Sequence, residues 1–267
     1  MERAMLAHQR HDEILRQVNI NGSVRVTDLV TELGVSEMTV RRDISLLATQ
    51  GKLERVHGGA VRLEDINSAP SALSTVPSNE EKIIAQAAAE TIRPGSKLFI
   101  GAGGSGRCLA KIISESEIFS SLTVATNYLP AIRILDEAQQ MQRDNGRAHA
   151  EVIFFGGQPC GHETLGSSTV ITAYNFHFHS VFIEAEGIDA QTGLSCNNLD
   201  KAMVEKVLIE NSEFATVMVP TLAWRRSALG VVCPLNQISR VISVSAPPSG
   251  IAESLTEAQV MVDIREP

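Results

Sequence analysis

Apolar side chains recur at helical spacing in three short runs near the N-terminus, then give way to short apolar blocks separated by longer amphipathic stretches. Between His8 and Val18, Ile14, Leu15 and Val18 share one side, while Asp12, Glu13, Arg16 and Gln17 fall on the others. This predicts a helix that Asn21-Gly22 breaks. A second short helix is expected from Thr27 to Leu33, burying Leu29, Val30 and Leu33, with Gly34 turning the chain into a third. In the third, Val40, Ile44 and Leu47 stand at i, i+4 and i+7 and form one buried stripe. Ser36 is its expected N-cap, Glu37 lies at the positive end of the dipole, and Gly51 is the expected stop. Thr39, Arg41, Arg42 and Ser45 then point away from the stripe.

Three helices with a tight glycine turn between the last two are the helix-turn-helix arrangement. A short helix with adjacent arginines and a small polar start suits the major groove of DNA. Taken alone, the same stretch also fits a surface helix with solvated charges. After Gly51, Leu53–Val56 and Ala60–Arg62 read as two short strands around His57-Gly58-Gly59, a hairpin tip. That wing would carry Lys52, Arg55 and His57 towards phosphates. Residues 1–62 are therefore read as a winged helix-turn-helix domain, and 63–78, rich in Ser, Ala and Pro, as a linker.

From residue 79 to 267 the pattern alternates helix and apolar strand. Helices are expected at 80–91, after the turn at 101–106, at 131–139 and at 200–211; strands at 97–100, 122–126, 151–155, 180–184, 215–219 and 241–244. Such alternation argues for a mostly parallel α/β sheet with helices on both faces. Ligands bind such sheets beyond the carboxyl ends of the strands. Gly103-Gly104-Ser105 sits in a glycine-rich turn that leads into a helix and offers N–H groups to an anion; a plain βα turn without a ligand fits the same residues. The turn lacks the lysine of a P-loop and the spacing of a dinucleotide fingerprint.

The net charge of −8 is unevenly placed. Residues 1–62 hold nine basic and eight acidic side chains, and 63–267 hold fourteen and twenty-three. A head of +1 implies modest non-specific affinity for DNA, so binding depends on where its arginines point and on more than one copy. The four cysteines are widely spaced, which suggests free thiols in a cytoplasmic protein. No apolar run approaches a membrane span and no signal peptide is evident. His177 and His179 alternate as on one strand face, but no third ligand accompanies them, so no metal is expected.

Residues 6 to 62 resemble the N-terminal domain of the DeoR family of bacterial transcriptional regulators. The matches are Arg10-His11, Ser36, Thr39-Val40-Arg41-Arg42-Asp43, Gly51-Lys52-Leu53 and His57-Gly58-Gly59-Ala60. Residues 80 to 245 resemble the effector-sensing domain of that family, through Glu81-Lys82, Gly103-Gly104-Ser105, Thr126-Asn127, Gly156-Gly157, Gly166, Phe182-Ile183, Gly187-Ile188-Asp189, Gly193-Leu194 and Lys201. The resemblance implies operator binding by the head, and a sensor domain similar in fold to sugar-phosphate isomerases and CoA transferases. Val26 departs from a position where the family often has a small polar cap. Gly101 and Ser245 stand where the family has an Asp, and Pro220-Thr221-Leu222-Ala223 replaces an Asp-Ser-Ser-Lys run. The missing lysine weighs against a standard sugar-phosphate effector.

The expected function is a sequence-specific DNA-binding regulator, a repressor of a carbohydrate-catabolism operon controlled by a sugar-derived metabolite, phosphorylated or not. The alternative is a sugar-phosphate isomerase or acyl-transfer enzyme with an appended regulatory domain, using Glu184 and Asp189 as paired carboxylates. The DNA-contacting set is Ser36, Glu37, Thr39, Arg41, Arg42, Ser45, Lys52, Arg55 and His57. The effector set is Lys82, Gly103, Gly104, Ser105, Thr126, Asn127, Gly156, Gly157, Glu184, Gly187, Asp189 and Lys201. No catalytic residue, metal or cofactor is expected. The partners are operator DNA, a small effector and further copies of the chain, without a membrane.

Overall fold

The computed structural model describes residues 7–21, 23–50, 52–56, 59–61 and 77–266. The chain forms two compact units, Met1–Ala69 and Pro70–Pro267.

In the first unit, α1 (Ala7–Asn21), α2 (Val26–Leu33) and α3 (Glu37–Thr49) close on one core. Ile14, Val18, Leu29, Val40, Ile44 and Leu47 are buried together with Leu53 and Ala60. Gly34 takes a φ of +65°, which lets the chain reverse between α2 and α3 without the steric cost of a Cβ. The wing differs from the expected two-stranded hairpin. A further strand, β1 (Ser23–Arg25), pairs antiparallel with β3 (Gly59–Val61), which pairs in turn with β2 (Glu54–Val56). Val24 is buried there, and Val26 is buried where a polar cap was expected. The expected hairpin tip His57-Gly58, the helix stop Gly51 and most of the expected linker lie outside the described residues.

One polar residue is buried beside the apolar stripe of α3. Asp43 accepts hydrogen bonds from Arg10 Nε at 2.9 Å and Arg10 Nη2 at 3.4 Å, and lies 3.0 Å from His11 Nε2. Burial alone would raise its pKa, but the bonds from Arg10 and His11 outweigh it, and the pKa falls below the ordinary Asp value. The clamp joins the start of α1 to the middle of α3.

The second unit is built on a seven-stranded sheet of β4 (Lys97–Ile100), β5 (Thr123–Thr126), β6 (Glu151–Phe154), β9 (Phe178–Glu184), β12 (Ser212–Met218), β14 (Arg240–Ser243) and β15 (Met261–Ile264). Its order is β15-β14-β12-β9-β4-β5-β6, and every pairing is parallel. Alternate residues feed two cores. Leu98, Ile100, Val124, Phe182 and Ile242 face one side, with Ile84 of α4 (Asn79–Ala89), Leu109 of α5 (Gly104–Ser114) and Leu135 of α6 (Leu129–Asp144). Phe99, Ala125, Val181, Ile183 and Val241 face the other, with Ala173 of α7 (Ser167–Tyr174), Leu208 of α8 (Leu199–Glu210) and Leu255 of α9 (Ser249–Glu257). Two small antiparallel pieces cap the strand ends: β7 (Gln158–Cys160) with β8 (Glu163–Leu165), and β10 (Gly187–Asp189) with β11 (Gly193–Cys196) and β13 (Gly230–Cys233). Neither piece, nor α7, α9 and β15, was anticipated from the sequence pattern. Their strands are three or four residues long, too short for alternation to register.

Replacing Asp43 by Asn should lower the stability of the head by about 1–3 kcal/mol, because Arg10 and His11 lose a charged acceptor. Asp43 has a depressed pKa, so its contribution is present above the ordinary Asp range and is lost as pH falls through the folded value. Hydrogen exchange of the α3 amides should therefore show a parent–variant gap near neutrality that closes in acid.

Candidate DNA-reading helix and the polar seam at the strand ends

The first turn of α3 is fixed locally. Ser36 has extended backbone angles, and its Oγ accepts from the Thr39 N–H at 3.3 Å. Thr39 Oγ1 lies 2.9 Å from the same hydroxyl. Glu37 accepts from Arg41 Nε at 2.8 Å and Nη2 at 2.6 Å, in an exposed i,i+4 pair. Such a pair is worth well under about 1 kcal/mol, so Arg41 can exchange Glu37 for another acceptor. Arg42 is exposed one position on, and Ser45 Oγ donates to the Arg41 carbonyl at 2.7 Å. Lys52 is exposed just beyond α3. Arg55 falls on β2, with its side chain outside what the structure describes, and His57 lies outside the described residues altogether. Beside and opposite the buried Val40, Ile44 and Leu47, α3 thus presents Glu37, Arg41 and Arg42 to solvent.

In the second unit, the carboxyl ends of the parallel strands converge on a seam of polar side chains. Glu184 ends β9 and is buried, and its carboxylate accepts from the N–H groups of Ser105 at 2.6 Å and Gly104 at 3.3 Å. The glycine-rich turn therefore offers its N–H groups to a side chain of the same protein. Burial pushes the Glu184 pKa up to about 7, against the hydrogen bonds from Ser105 that lower it. Tyr128, which follows β5, is fully buried, and its hydroxyl lies in the field of Arg107, Glu184, Glu163 and Glu81. Neither that hydroxyl nor Arg107 Nη2 has a hydrogen-bond partner among the described residues.

The seam continues to a buried lysine. Lys201 Nζ stands 2.8 Å from Glu186, 3.8 Å from Glu163 and 3.9 Å from Glu205. Burial alone would lower the lysine pKa, but the three carboxylates raise it well above its ordinary value. Burial first raises Glu186, but Lys201 and the Asn197 donors outweigh it and hold that carboxyl low. Burial prevails at the other two: Glu163 is raised, and Glu205 is pushed up to about 8 despite Lys201. Asn198 caps α8, its side chain accepting from Asp200 and Lys201 N–H, which fixes where the lysine starts.

The other expected effector residues are tied into the scaffold or stand apart. Thr126 Oγ1 donates to the Ile100 carbonyl at 2.7 Å, and Asn127 Nδ2 donates to the Thr164 carbonyl at 2.9 Å, pinning the β7–β8 hairpin over the end of β5. Gly157 admits no side chain, since a Cβ there would stand 2.1 Å from Thr169 Oγ1; Gly156 has open space. Gly187 lies against the Arg226 carbonyl. Asp189 accepts from the N–H groups of Gln191 at 2.9 Å and Thr192 at 3.3 Å, so it shapes the β10–β11 turn, away from the Glu184 carboxylate's partners. Lys82 is exposed on α4. His177 and His179 part company: His177 faces Glu213 at 3.9 Å, and His179 Nδ1 accepts from the Lys97 N–H at 2.9 Å. Among the described residues no cluster of metal-binding side chains forms, and no helix is long and apolar enough to cross a membrane. The cysteines are free; Cys108, Cys196 and Cys233 are buried as expected, but Cys160 is exposed on β7. A shallow groove between α5 and α6, lined by Lys111, Glu115, Met141 and Arg147, lies at the opposite edge of the sheet from the strand ends.

The loop after β12 carries two ties. Glu80 Oε1 accepts from Thr221 N–H at 2.7 Å and Thr221 Oγ1 at 2.6 Å, and Trp224 Nε1 donates to Ser245 Oγ at 3.1 Å. Trp224 accordingly packs into the core at the strand ends. Arg107, Tyr128, Glu163, Glu186 and Glu205 were not singled out from the sequence, and Asp43 only as part of the family match. Only the i,i+4 spacing of Lys201 and Glu205 could have flagged one of them.

The description of the DeoR C terminal sensor domain matches residues 77–244, and that of the DeoR-like helix-turn-helix domain matches residues 10–65. The chain belongs to the DeoR family. It is 28% identical to an uncharacterised HTH-type transcriptional regulator, YulB, of Bacillus subtilis, over 97% of this chain and 96% of that one. It is also 28% identical to a lactose phosphotransferase system repressor of Staphylococcus aureus, over 89% and 92%. Among solved structures, ribose 5-phosphate isomerase A from Methanocaldococcus jannaschii is similar at 10% identity and a TM-score of 0.38, covering 56% of this chain and about half, 53%, of that one. As a DeoR-family protein the chain is a sequence-specific DNA-binding transcriptional regulator with a small-molecule sensor domain.

Replacing Lys201 by Met should destabilise the sensor unit by about 3–5 kcal/mol, because buried Glu205 and half-buried Glu163 and Glu186 lose their common partner. Glu184 and Glu205 have raised pKa values, so their favourable protonation is complete below the unfolded carboxylate value and is lost as pH rises through about 7 and about 8. Sensor-unit stability, followed by Trp224 fluorescence during denaturation, should decline from about pH 4.5, the ordinary Glu value, to about pH 8 and level off above it. Glu205→Gln, facing Glu163, Glu186, Lys201 and the neighbouring thiols Cys196 and Cys233, should flatten the decline.

Proposed function

We propose that this chain represses a carbohydrate-catabolism operon, binding operator DNA as a homo-oligomer in the cytoplasm and responding to a sugar-derived metabolite at the strand ends of its sensor unit. The observation that carries the DNA reading is the solvent face of α3, where Arg41 and Arg42 stand beside Ser36, Glu37 and Thr39 while the opposite face is buried. Arginine forks match the O6 and N7 acceptors of guanine in the major groove. Ser45, Lys52, Arg55 and His57 belong to the backbone-contacting set, which positions the head without reading bases. The lactose phosphotransferase system repressor, similar over most of its length, supports a sugar-linked operon.

The effector acts by linkage, binding one arrangement of the chain better than another. Glu80 supplies a physical connection. It belongs to the first turn of α4, the first helix after the connector, and it holds Thr221 in a loop at the strand ends. A ligand that moves this loop moves the start of α4. We read the chain as a regulator without a catalytic step, since Glu184 is engaged by α5 and Asp189 by its own turn.

Two outcomes test this. The Arg41→Ala, Arg42→Ala double variant should bind a duplex selected from a random pool about 30- to 1000-fold more weakly than the parent at equal salt, with unchanged circular dichroism. Equal binding would remove the reading. Glu80→Gln should keep effector-free DNA affinity but reduce the effector-induced change in it several-fold, measured by fluorescence anisotropy with and without sugar ligands.

A further inference from the structure

The start of α5 has the makings of an anion site, since first-turn N–H groups have no intrahelical partner and the helix dipole adds positive potential. In this chain it is already filled. Both oxygens of Glu184 take those N–H groups, at 2.6 Å from Ser105 and 3.3 Å from Gly104. Gly103, with φ +146°, makes the approach possible: a Cβ there would stand 2.5–2.7 Å from the Glu184 carboxylate atoms. The surroundings add acid. Glu205 is buried and Glu163 and Glu186 are half-buried along the same seam around Lys201, and Glu81 is buried at the start of α4. A phosphate arriving here would meet occupied donors and a surplus of carboxylates.

Besides Ser105 Oγ in the cradle itself, two more buried polar groups of the seam are left over. The Tyr128 hydroxyl, on a side chain only 1% exposed, and Arg107 Nη2 have no hydrogen-bond partner among the described residues. Buried groups of this kind are normally satisfied, so they point to a hydrogen-bonding molecule that completes the seam. A hydroxyl-bearing ligand can satisfy both without bringing negative charge.

We propose that the Glu184 carboxyl closes the α5 cradle to phosphate by occupying its N–H groups, so that the effector of this chain is an uncharged, hydroxyl-rich, unphosphorylated molecule bonded by Tyr128 and Arg107. This rests on the reading of the strand ends as the effector site. Glu184 is the residue that sets specificity, and Gly103 is the residue that admits it.

The test uses the full chain, with inorganic phosphate, hexose phosphates and the matching free hexoses and polyols as probes, read by calorimetry and thermal shift at matched ionic strength. The parent should bind inorganic phosphate no better than chloride. Glu184→Gly and Glu184→Ala should each gain at least about tenfold in phosphate affinity, the glycine variant more, because donors and dipole are released. Should the glycine variant fail to fold, the alanine variant, which also empties the cradle, decides the matter. Parent protein that binds phosphate or a hexose phosphate as tightly as a folded variant, or folded variants that gain nothing, would overturn the proposal. Tyr128→Phe should weaken any free sugar or polyol that binds the parent; an unchanged affinity would overturn the assignment of Tyr128. A parent that responds to no sugar of either kind would instead overturn the effector reading, while the phosphate arm still decides the role of Glu184.

Discussion

The carboxylate of Asp43 fixes how α3 is turned about its own axis. A helix advances about 100° per residue, so a side chain held inward at one position dictates where its neighbours point. Asp43 is held by Arg10 and His11, and Val40, Ile44 and Leu47 fill the core on the same side. Arg41 and Arg42 are thereby left on the solvent side. An apolar stripe alone tolerates some rolling. A hydrogen-bonded carboxylate beneath two donors does not, because rolling would strand a buried charge. Which side chains α3 turns to solvent thus depends on an interaction buried beneath it.

The sensor unit applies a similar economy at its strand ends. A parallel sheet collects loops at one edge, and here the loops deliver more carboxylates than cations. Lys201 holds three of them, and the N-terminus of α5 holds a fourth. Such a seam is stable only while each charge keeps its partner, so displacing any one is felt along the others. Glu80 lies at the margin of this edge and belongs to the helix nearest the connector in sequence.

Much of this was legible in the chain. The buried stripe and capping serine of α3, the glycine turn before it and the alternation of helices with apolar strands all rest on local periodicity, which survives folding unchanged. β1 escaped because Ser23-Val24-Arg25 is too short to show alternation, and its partner β3 lies more than thirty residues on. α7 escaped because Thr169, Val170, Ile171 and Thr172 are β-branched, and only packing against α8 settles them as helix. The glycine-rich turn was recognisable as an anion cradle, but its occupant comes from eighty residues away on β9. No pattern within either segment reveals that pairing. The same holds for Glu163 and Glu186 around Lys201, which meet only once β8, the β9–β10 turn and α8 are assembled.

In the proposed function, the guanidinium groups of α3 read base edges in a major groove. A thermodynamic cycle tests it most directly: each operator guanine is replaced in turn by 7-deazaguanine, and binding is measured for the parent, Arg41→Ala and Arg42→Ala. Loss of N7 should cost the parent about 1–3 kcal/mol at particular guanines, and that cost should vanish in the variant lacking the arginine that contacts them. If every guanine costs the parent and both variants the same, the arginines touch no base, and the assignment of α3 as the reading helix is wrong.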